Sequence, residues 1–412
     1  MKKLIITSSL ILLLGLFSCK KETVTSTPTS QEELATGKPP SPPPPPSLLQ
    51  WQKCLGSSSD EFGNAVTKTS DGLGYFVAGT TGSLGNNDVI VSKIGLNGAS
   101  IWQTPTIVGG SLNDEAYGVV ATTDGGCLVA GLGSSIDGDL AGLNNDGNAL
   151  LIKISSSGSK EWVKKIGGGR INALIKTSDG KYALTGYNTT VNGTTGVWLV
   201  MFNINADGPV IEWQKTIGDP DNITRFGYSL VQAANGGFTI AGTVYTDPAP
   251  DIWVINTDNL GNVNWTKRIS SGTGADVAFG VTASTDLNNN ITGYLVTGYL
   301  STGTLVAKLN LDGSVNWQKT FPLGQGRSVI STTQGDIVVG QTGQDLFVLR
   351  LNDANGNQIS SNLLGGNKSD GGKMVTTTTD GGYIAVGNTN SNNGNVTGNN
   401  GGSDMWVVKF NF

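Results

Sequence analysis

Histidine is absent from the 412 residues, which removes the commonest general base and the commonest transition-metal ligand. Cysteine occurs three times, at Cys19, Cys54 and Cys127, too sparsely for a disulfide framework or a paired-cysteine zinc site. Charged side chains make up only 14% of the chain, the net charge is −5 and basic clusters are missing. The basic stripe expected of a nucleic-acid-binding protein is therefore lacking. No stretch of helix-forming Ala, Leu, Glu and Lys carries a 3.6-residue period. A Gly-x-Ser-x-Gly elbow and a phosphate loop are likewise missing. Glycoside chemistry needs two acids and no histidine, but the repeats offer no acid pair apart from the periodic ones. Asp219 and Asp221, flanking Pro220, are the one local oddity, and a loop-capping role suits them better. The chain is accordingly expected not to be an enzyme.

What is abundant is glycine, at 60 residues, together with Asn, Thr and Ser. Tryptophan recurs on a fixed period: Trp51, Trp102, Trp162, Trp213, Trp265 and Trp317 stand roughly fifty to sixty residues apart, the spacing of a solenoid, propeller or array. Most open the same phrase, as in Trp51-Gln-Lys-Cys-Leu-Gly and Trp213-Gln-Lys-Thr-Ile-Gly. Each unit holds four apolar bursts; in the first they lie at 64–69, 74–79, 88–94 and 101–104. Asp71-Gly72, Asp124-Gly125, Asp179-Gly180 and Asp380-Gly381 separate the first two bursts, and Asn97-Gly98 or Asp312-Gly313 the last two. These dipeptides suit tight hairpins because glycine accepts positive φ. Four short strands joined by hairpins make one propeller blade.

Seven units follow one another through residues 48–412. The seventh ends on a third strand at 405–412, while the chain of repeats begins with an unpaired fourth-strand phrase at 48–53. The two halves predict that the N-terminal strand closes the last blade. Ser360 stands where a seventh tryptophan is due. The tryptophans read as structural, covering the outer hairpins and packing between blades; a row of sugar-stacking rings is the competing reading. Cys54 and Cys127 fall on non-adjacent units and read as buried thiols.

The first residues stand apart. Lys2 and Lys3 precede a short apolar run, Leu4 to Leu16, too short and wrongly flanked to span a membrane. It ends in Leu16-Phe17-Ser18-Cys19, which resembles a bacterial lipobox; the resemblance implies a signal peptide over 1–18 and acylation of Cys19. Cys19-Lys20-Lys21-Glu22 resembles the start of Bacteroidota lipoproteins. Residues 19–47, rich in Thr, Ser and Glu and then in proline, read as a tether; its proline run should stand as stiff polyproline II at about 3.1 Å per residue.

The Gly-x-x-x-Trp turns resemble those of pyrroloquinoline-quinone-type propellers. The whole unit, with phrases such as Asp380-Gly-Gly-Tyr-Ile-Ala-Val-Gly387 and Asp404-Met-Trp-Val-Val-Lys409, is similar to repeats of Bacteroidota lipoproteins and secreted propellers. The resemblance covers nearly all of 48–412 and implies a propeller with no defined chemistry; with seven units counted, the chain reads as an all-β, seven-bladed β-propeller. The mannose motif of bulb-type lectins is absent.

Hairpins between first and second strands, and between third and fourth, are short and share one face. Loops on the other face are long and variable, and binding residues concentrate on such loops. The longest span Leu132 to Asn148 in blade two and Asn388 to Asp404 in blade seven; blades five and six have short counterparts. The expected working surface is a groove with one high wall. The tether enters at the short-turn face, so the anchor is expected to hold the long-loop face away from the membrane. Glu61, Asp114, Asp276 and Asp370 recur at the start of the innermost strand, read as carboxylates capping loop amides or, in the sharper alternative, as a ring attracting calcium. Blades three, four and six carry Gly169, Arg225 and Gly324 there. Asp137, Asp139 and Asp146 are a second calcium candidate. The chain thus reads as a monomeric, outer-membrane, surface-exposed lipoprotein, binding protein or glycan through its long-loop face without catalysis and with no required cofactor. A lectin-like role in glycan capture and a quinoprotein-like or hydrolytic enzyme are the alternatives.

Overall fold

A computed structural model describes residues 48–412 apart from 83–85, 144–146, 190–192, 219–222 and 273. Cys19, the signal and tether segments, Asp146, Asp219 and Asp221 lie outside the described residues.

Seven four-stranded antiparallel sheets stand in a ring as a β-propeller. The innermost strands of blades one to seven are Glu61–Lys68, Asp114–Ala121, Arg170–Lys176, Arg225–Gln232, Val277–Thr285, Gln325–Ile330 and Asp370–Thr377. Among the described residues the one helical element is a 3-10 turn, Gly138–Leu140. The ring closes as the strand halves predict: Leu49–Leu55 pairs antiparallel with Asp404–Phe410, Leu49 opposite Phe410 and, after a register shift at Leu49/Trp51, Trp51 opposite Lys409 through to Leu55 opposite Met405. Closure gives the last blade its fourth strand and covers an edge that would otherwise template aggregation.

The blades have no private cores. Each of seven apolar clusters is shared by two neighbours: Val66, Tyr75 and Val77 of blade one pack on Val386, Met405 and Val407 of blade seven, and Ala183, Leu199 and Met201 of blade three on Leu230, Phe238 and Ile240 of blade four. Both faces of a blade are therefore buried, which is why second and third strands are mostly apolar. Gly74–Thr81, Ala149–Ile154 and Asp404–Phe410 are buried at every residue. Fourth strands meet solvent and are polar, Val315–Phe321 burying only Trp317 and Phe321.

The first hairpins of blades one, two, three and seven are built alike. The hydroxyls of Thr69, Thr122 and Thr177 donate to Asp71, Asp124 and Asp179 at 2.5 Å, and Thr378 donates to Asp380 in the same way. The following glycines take φ of 70° to 86°. In blade seven the Lys409 ammonium and the Thr378 hydroxyl hold the Asp380 carboxyl down at about 2.

The tryptophans act between blades. All the repeat rings but that of Trp162 reach forward to the third–fourth hairpin of the next blade and lie on its positive-φ glycine: Trp51 on Gly98, Trp102 on Gly158, Trp213 on Gly261, Trp265 on Gly313 and Trp317 on Gly356. A Cβ at these glycines would lie 2.5–3.0 Å from the ring, so the site needs glycine for space as well as for φ. The indole N–H of Trp51, Trp102, Trp265 and Trp317 donates to the backbone carbonyl of Leu96, Ser156, Leu311 and Asp353 in that hairpin, at 2.9–3.1 Å. Trp162 is the variant: it packs with Tyr182 and Phe202 in the core between blades two and three, while Gly208 faces Lys164 instead.

Two departures from a uniform repeat have physical causes. Trp102 precedes its strand, because the fourth strand of blade one is only Thr106–Val108; Pro105 has no N–H to extend the ladder. Ser360 replaces tryptophan on Gln358–Leu364 of blade six, and the blade it faces is the one closed by the N-terminal strand. That blade has no third–fourth hairpin for a ring to clasp. Phe412 lies there, stacked beneath Arg350 of blade six at 5.1 Å.

Trp317→Ala is expected to cost about 3–5 kcal/mol in chemical unfolding, whereas Ser360→Trp should bring no comparable gain. Equal responses at the two positions would refute the clasp.

Candidate functional site

The seven innermost strands share one irregularity. In each, the register with the second strand slips at the same place, leaving an extra residue: Asn64, Tyr117, Asn172, Tyr228, Phe279, Arg327 and Lys373; blade five slips a second time between Ser284 and Thr285. A β-bulge re-aims the side chain it inserts. All seven bulged residues line one central channel with a cavity of about 320 Å³. The bulges, not the strand ends, thus decide what the channel presents. Its wall is aromatic and basic rather than acidic.

The wall divides by chemistry. Asn64 and Asn172 are spent on architecture, their amides donating to Ala116 O at 2.9 Å and Gly227 O at 2.7 Å on the next blade. From blade four to blade seven run Tyr228, Phe279, Arg327 and Lys373. Tyr228 and Phe279 stand 5.8 Å apart, and the Arg327 guanidinium lies 4.0 Å over the Phe279 ring. Burial, then the neighbouring Arg327 charge, pushes Lys373 down to about 8. Across the channel Arg170 stacks 3.8 Å over Tyr117. Toward the long-loop face the track widens: Phe226 touches Tyr228, meets Tyr187 edge-on at 5.0 Å and Tyr245 at 5.5 Å. Tyr245 is 47% exposed.

The recurring acids do something else. Glu61, Asp114, Asp276 and Asp370 are fully buried at the interblade junctions. Asp114 accepts bonds from Gly110 N at 3.0 Å, Ser135 N at 3.1 Å and Ser135 Oγ at 2.6 Å. Glu61 accepts from Ser57 N and Oγ and from Thr81 Oγ1, all at 2.8 Å. Asp276 takes Ser271 N, Ser271 Oγ and Ser301 N; Asp370 takes Gly366 N, Ser391 Oγ and Thr389 Oγ1. Each carboxylate brackets the incoming interblade loop to the second-strand end of its own blade. This is the amide-capping geometry, not a ring facing the channel. The blades without the acid differ: Gly169 N bonds Tyr187 O, Gly324 N bonds Thr304 Oγ1, and the Arg225 guanidinium lies 5.1 Å over Trp253.

Asp137 and Asp139 also cap loop amides. Ser111 N donates to Asp137 at 2.7 Å and Gly109 N to Asp139 at 3.3 Å. Blade seven repeats the arrangement with neutral side chains: Asn367 N donates to Asn393 at 2.9 Å and Gly365 N to Asn395 at 3.2 Å. Asn and Asp serve interchangeably, so the geometry uses the oxygen and does not need the charge. Among the described residues no group of three or more acidic or thiol side chains gathers as a metal site. Cys54 and Cys127 are free and buried, and burial pushes both thiols up to about 12.

A second acid faces the first across several junctions and was not singled out in the sequence. Asp88 opens the third strand of blade one beside Asp114, is fully buried, and neither oxygen has a hydrogen-bond partner. Gly109 passes so close that a Cβ there would lie 1.7 Å from Asp88 Oδ1. Burial and the Asp114 charge push Asp88 up to about 6. Burial also raises Asp404 and Asp345, which face Glu61 and Asp370. The signal was legible as the aspartates opening third strands, but only packing reveals that they are crowded.

A carboxyl raised in the fold binds its proton more tightly than in the unfolded chain. Its stabilisation is complete below about pH 4 and lost as pH rises through 6. Asp88→Asn is therefore expected to stabilise the protein by about 1–3 kcal/mol at pH 7.5 and not at pH 4, read by thermal unfolding at both.

No protein-family model and no curated protein matches the chain. Among solved structures it is similar to the polysaccharide lyase Uly1, with a TM-score of 0.55 and 9% identity over 89% of this chain and 100% of that one. It is also similar to Sqt1 from Chaetomium thermophilum, with a TM-score of 0.52 and 11% identity over 89% and 99%. At these identities the likeness is one of fold, and it supports the seven-bladed β-propeller.

Proposed function

We propose that this chain is a lipid-anchored outer-membrane propeller of a Bacteroidota-like bacterium, a monomer that binds a protein or glycan through its long-loop face without catalysing a reaction. The observation that carries the binding reading is the aromatic track Tyr187, Phe226, Tyr245 and Tyr228, which leads from the long-loop face into the channel. Rings bury large areas at little entropic cost, which makes them effective binding anchors. The non-catalytic reading is favoured by Asp114 and Asp276, the acids on which hydrolysis would rest: their oxygens are engaged by loop amides and hydroxyls. Glycan capture is the second reading, favoured by the 47% exposed Tyr245 beside Phe226. Anchorage rests on the Leu16-Phe17-Ser18-Cys19 sequence. The first propeller strand starts at the short-turn face, which supports an anchor on that side.

Two experiments test this reading. Palmitate labelling of the full chain in a bacterial host should be lost in Cys19→Ala; labelling that persists removes the anchor. On a glycan array and in crosslinking to surface proteins, Tyr245→Ala should weaken retention about tenfold with unchanged unfolding temperature, since truncating an aromatic binding anchor costs more than about 1 kcal/mol. Retention unaffected by the variant, or polysaccharide cleavage by the wild type, overturns it.

A further inference from the structure

Arg327 and Lys373 sit on adjacent innermost strands, both at the bulge, and both face the same cavity. Among the described residues neither belongs to an ion pair, and no carboxylate lines the cavity they face. The Arg327 guanidinium is fixed in place: its face lies on Phe279, its Nη2 donates to Gln325, and its Nε is buried with no partner. Arg170, stacked on Tyr117 across the channel, also keeps a buried Nε without a partner. The chain as a whole is acidic, yet no aspartate or glutamate is among the described residues that line the channel.

We propose that the central channel is a binding site for an oxyanion, a carboxylate or sulfate group borne by an acidic saccharide, held between Arg327 and Lys373. A guanidinium offers Nε and an Nη as a fork that matches the two oxygens of such a group, and a stacked guanidinium is already oriented. Water can satisfy an orphaned Nε, whereas a bound anion also offsets the repulsion between two like charges held together in a confined site, which the free protein relieves only by losing the Lys373 proton more readily. The low value of Lys373 points the same way, since it arises from burial and from Arg327. The other titratable groups around the channel are Tyr117 and Tyr228 on its wall and Arg170 and Glu115 at the long-loop ends of their strands. The tyrosine ring Tyr228, between Phe226 and Phe279, provides an apolar surface for the body of the ligand. This inference deepens the binding-module reading and rests on it for the glycan nature of the ligand.

The test is calorimetric titration of the full chain with glucuronate, inorganic sulfate and glucose. Glucuronate and sulfate should bind and glucose should not. Arg327→Gln and Lys373→Met should each weaken binding at least about tenfold, because a hydrogen bond to a charged group contributes about 1.5–3 kcal/mol. Lys373→Arg should retain it, which separates lost charge from a damaged fold. The wild type supplies a reading that needs no variant: an anion raises the Lys373 value, so binding takes up protons near pH 8 and weakens as pH rises above it. Tighter glucuronate binding assigns the carboxylate, and tighter sulfate binding the sulfate ester. The proposal is overturned if neither anion binds, if glucose binds equally, or if affinity survives both charge-removing variants. Anion binding lost with Tyr245 retention intact overturns this site alone; the converse overturns the surface reading alone.

Discussion

Everything in this molecule depends on blades that cannot bury their apolar faces alone. Each sheet has two apolar faces, and the only partners available are the blades on either side, so every core belongs to a junction. A broken ring would leave two such faces in water. The N-terminal strand therefore matters beyond the hydrogen bonds it forms with Asp404–Phe410, because it completes the outer wall of the blade where the chain must join itself. The tryptophans add direction to this dependence. Each one except Trp162 belongs to one blade and clasps the hairpin of the next, so the outer rim is a chain of forward contacts interrupted at Trp162 and at the blade closed by the N-terminal strand, which has no hairpin to clasp.

The same division of labour separates the outer rim from the channel. Outer and middle strands carry the repeat and vary little in kind. The bulge in each innermost strand frees one position per blade from packing, and that position alone takes unlike residues: amides, aromatics and cations. A scaffold of near-identical blades can in this way hold a site with no symmetry. Blades one and three spend the position on tying neighbours together, while blades four to seven leave it facing the cavity.

The acids of the long-loop face belong to the scaffold. An interblade loop brings amide groups into a buried junction, where an unpaired amide is costly. A carboxylate at the strand start accepts several of them together with a hydroxyl. Where two such carboxylates meet, as at Asp88 and Asp114, the crowding destabilises the charged forms. The loops of blades two and seven, the longest on this face, are held down by matching side chains, Ser135, Asp137 and Asp139 in one and Ser391, Asn393 and Asn395 in the other. They form braced platforms rather than free flaps.

Period and turn chemistry made the architecture legible from sequence. Asp-Gly and Asn-Gly pairs mark hairpins because of backbone sterics, which are local. The spacing of Trp51 to Trp317 marks blades because a repeated junction needs a repeated residue. The unmatched strands at the two ends of the repeat imply closure by counting alone. The candidate site was legible only in part. Glu61, Asp114, Asp276 and Asp370 stood out by position, but each also bonds a group on the far end of the second strand or just beyond it, Thr81, Ser135, Ser301, Thr389 and Ser391, and spacing cannot say whether a carboxylate meets amides or a cation. Asn64, Tyr117, Tyr228, Phe279, Arg327 and Lys373 share no residue type, so nothing in the sequence aligns them. Only the register of strand pairing reveals that each is the extra residue of a bulge, and only ring closure brings them to one channel. Local backbone chemistry thus determined the blades and their number from the sequence; the tertiary structure decided which side chains face one another, because that depends on contacts between segments far apart in the chain.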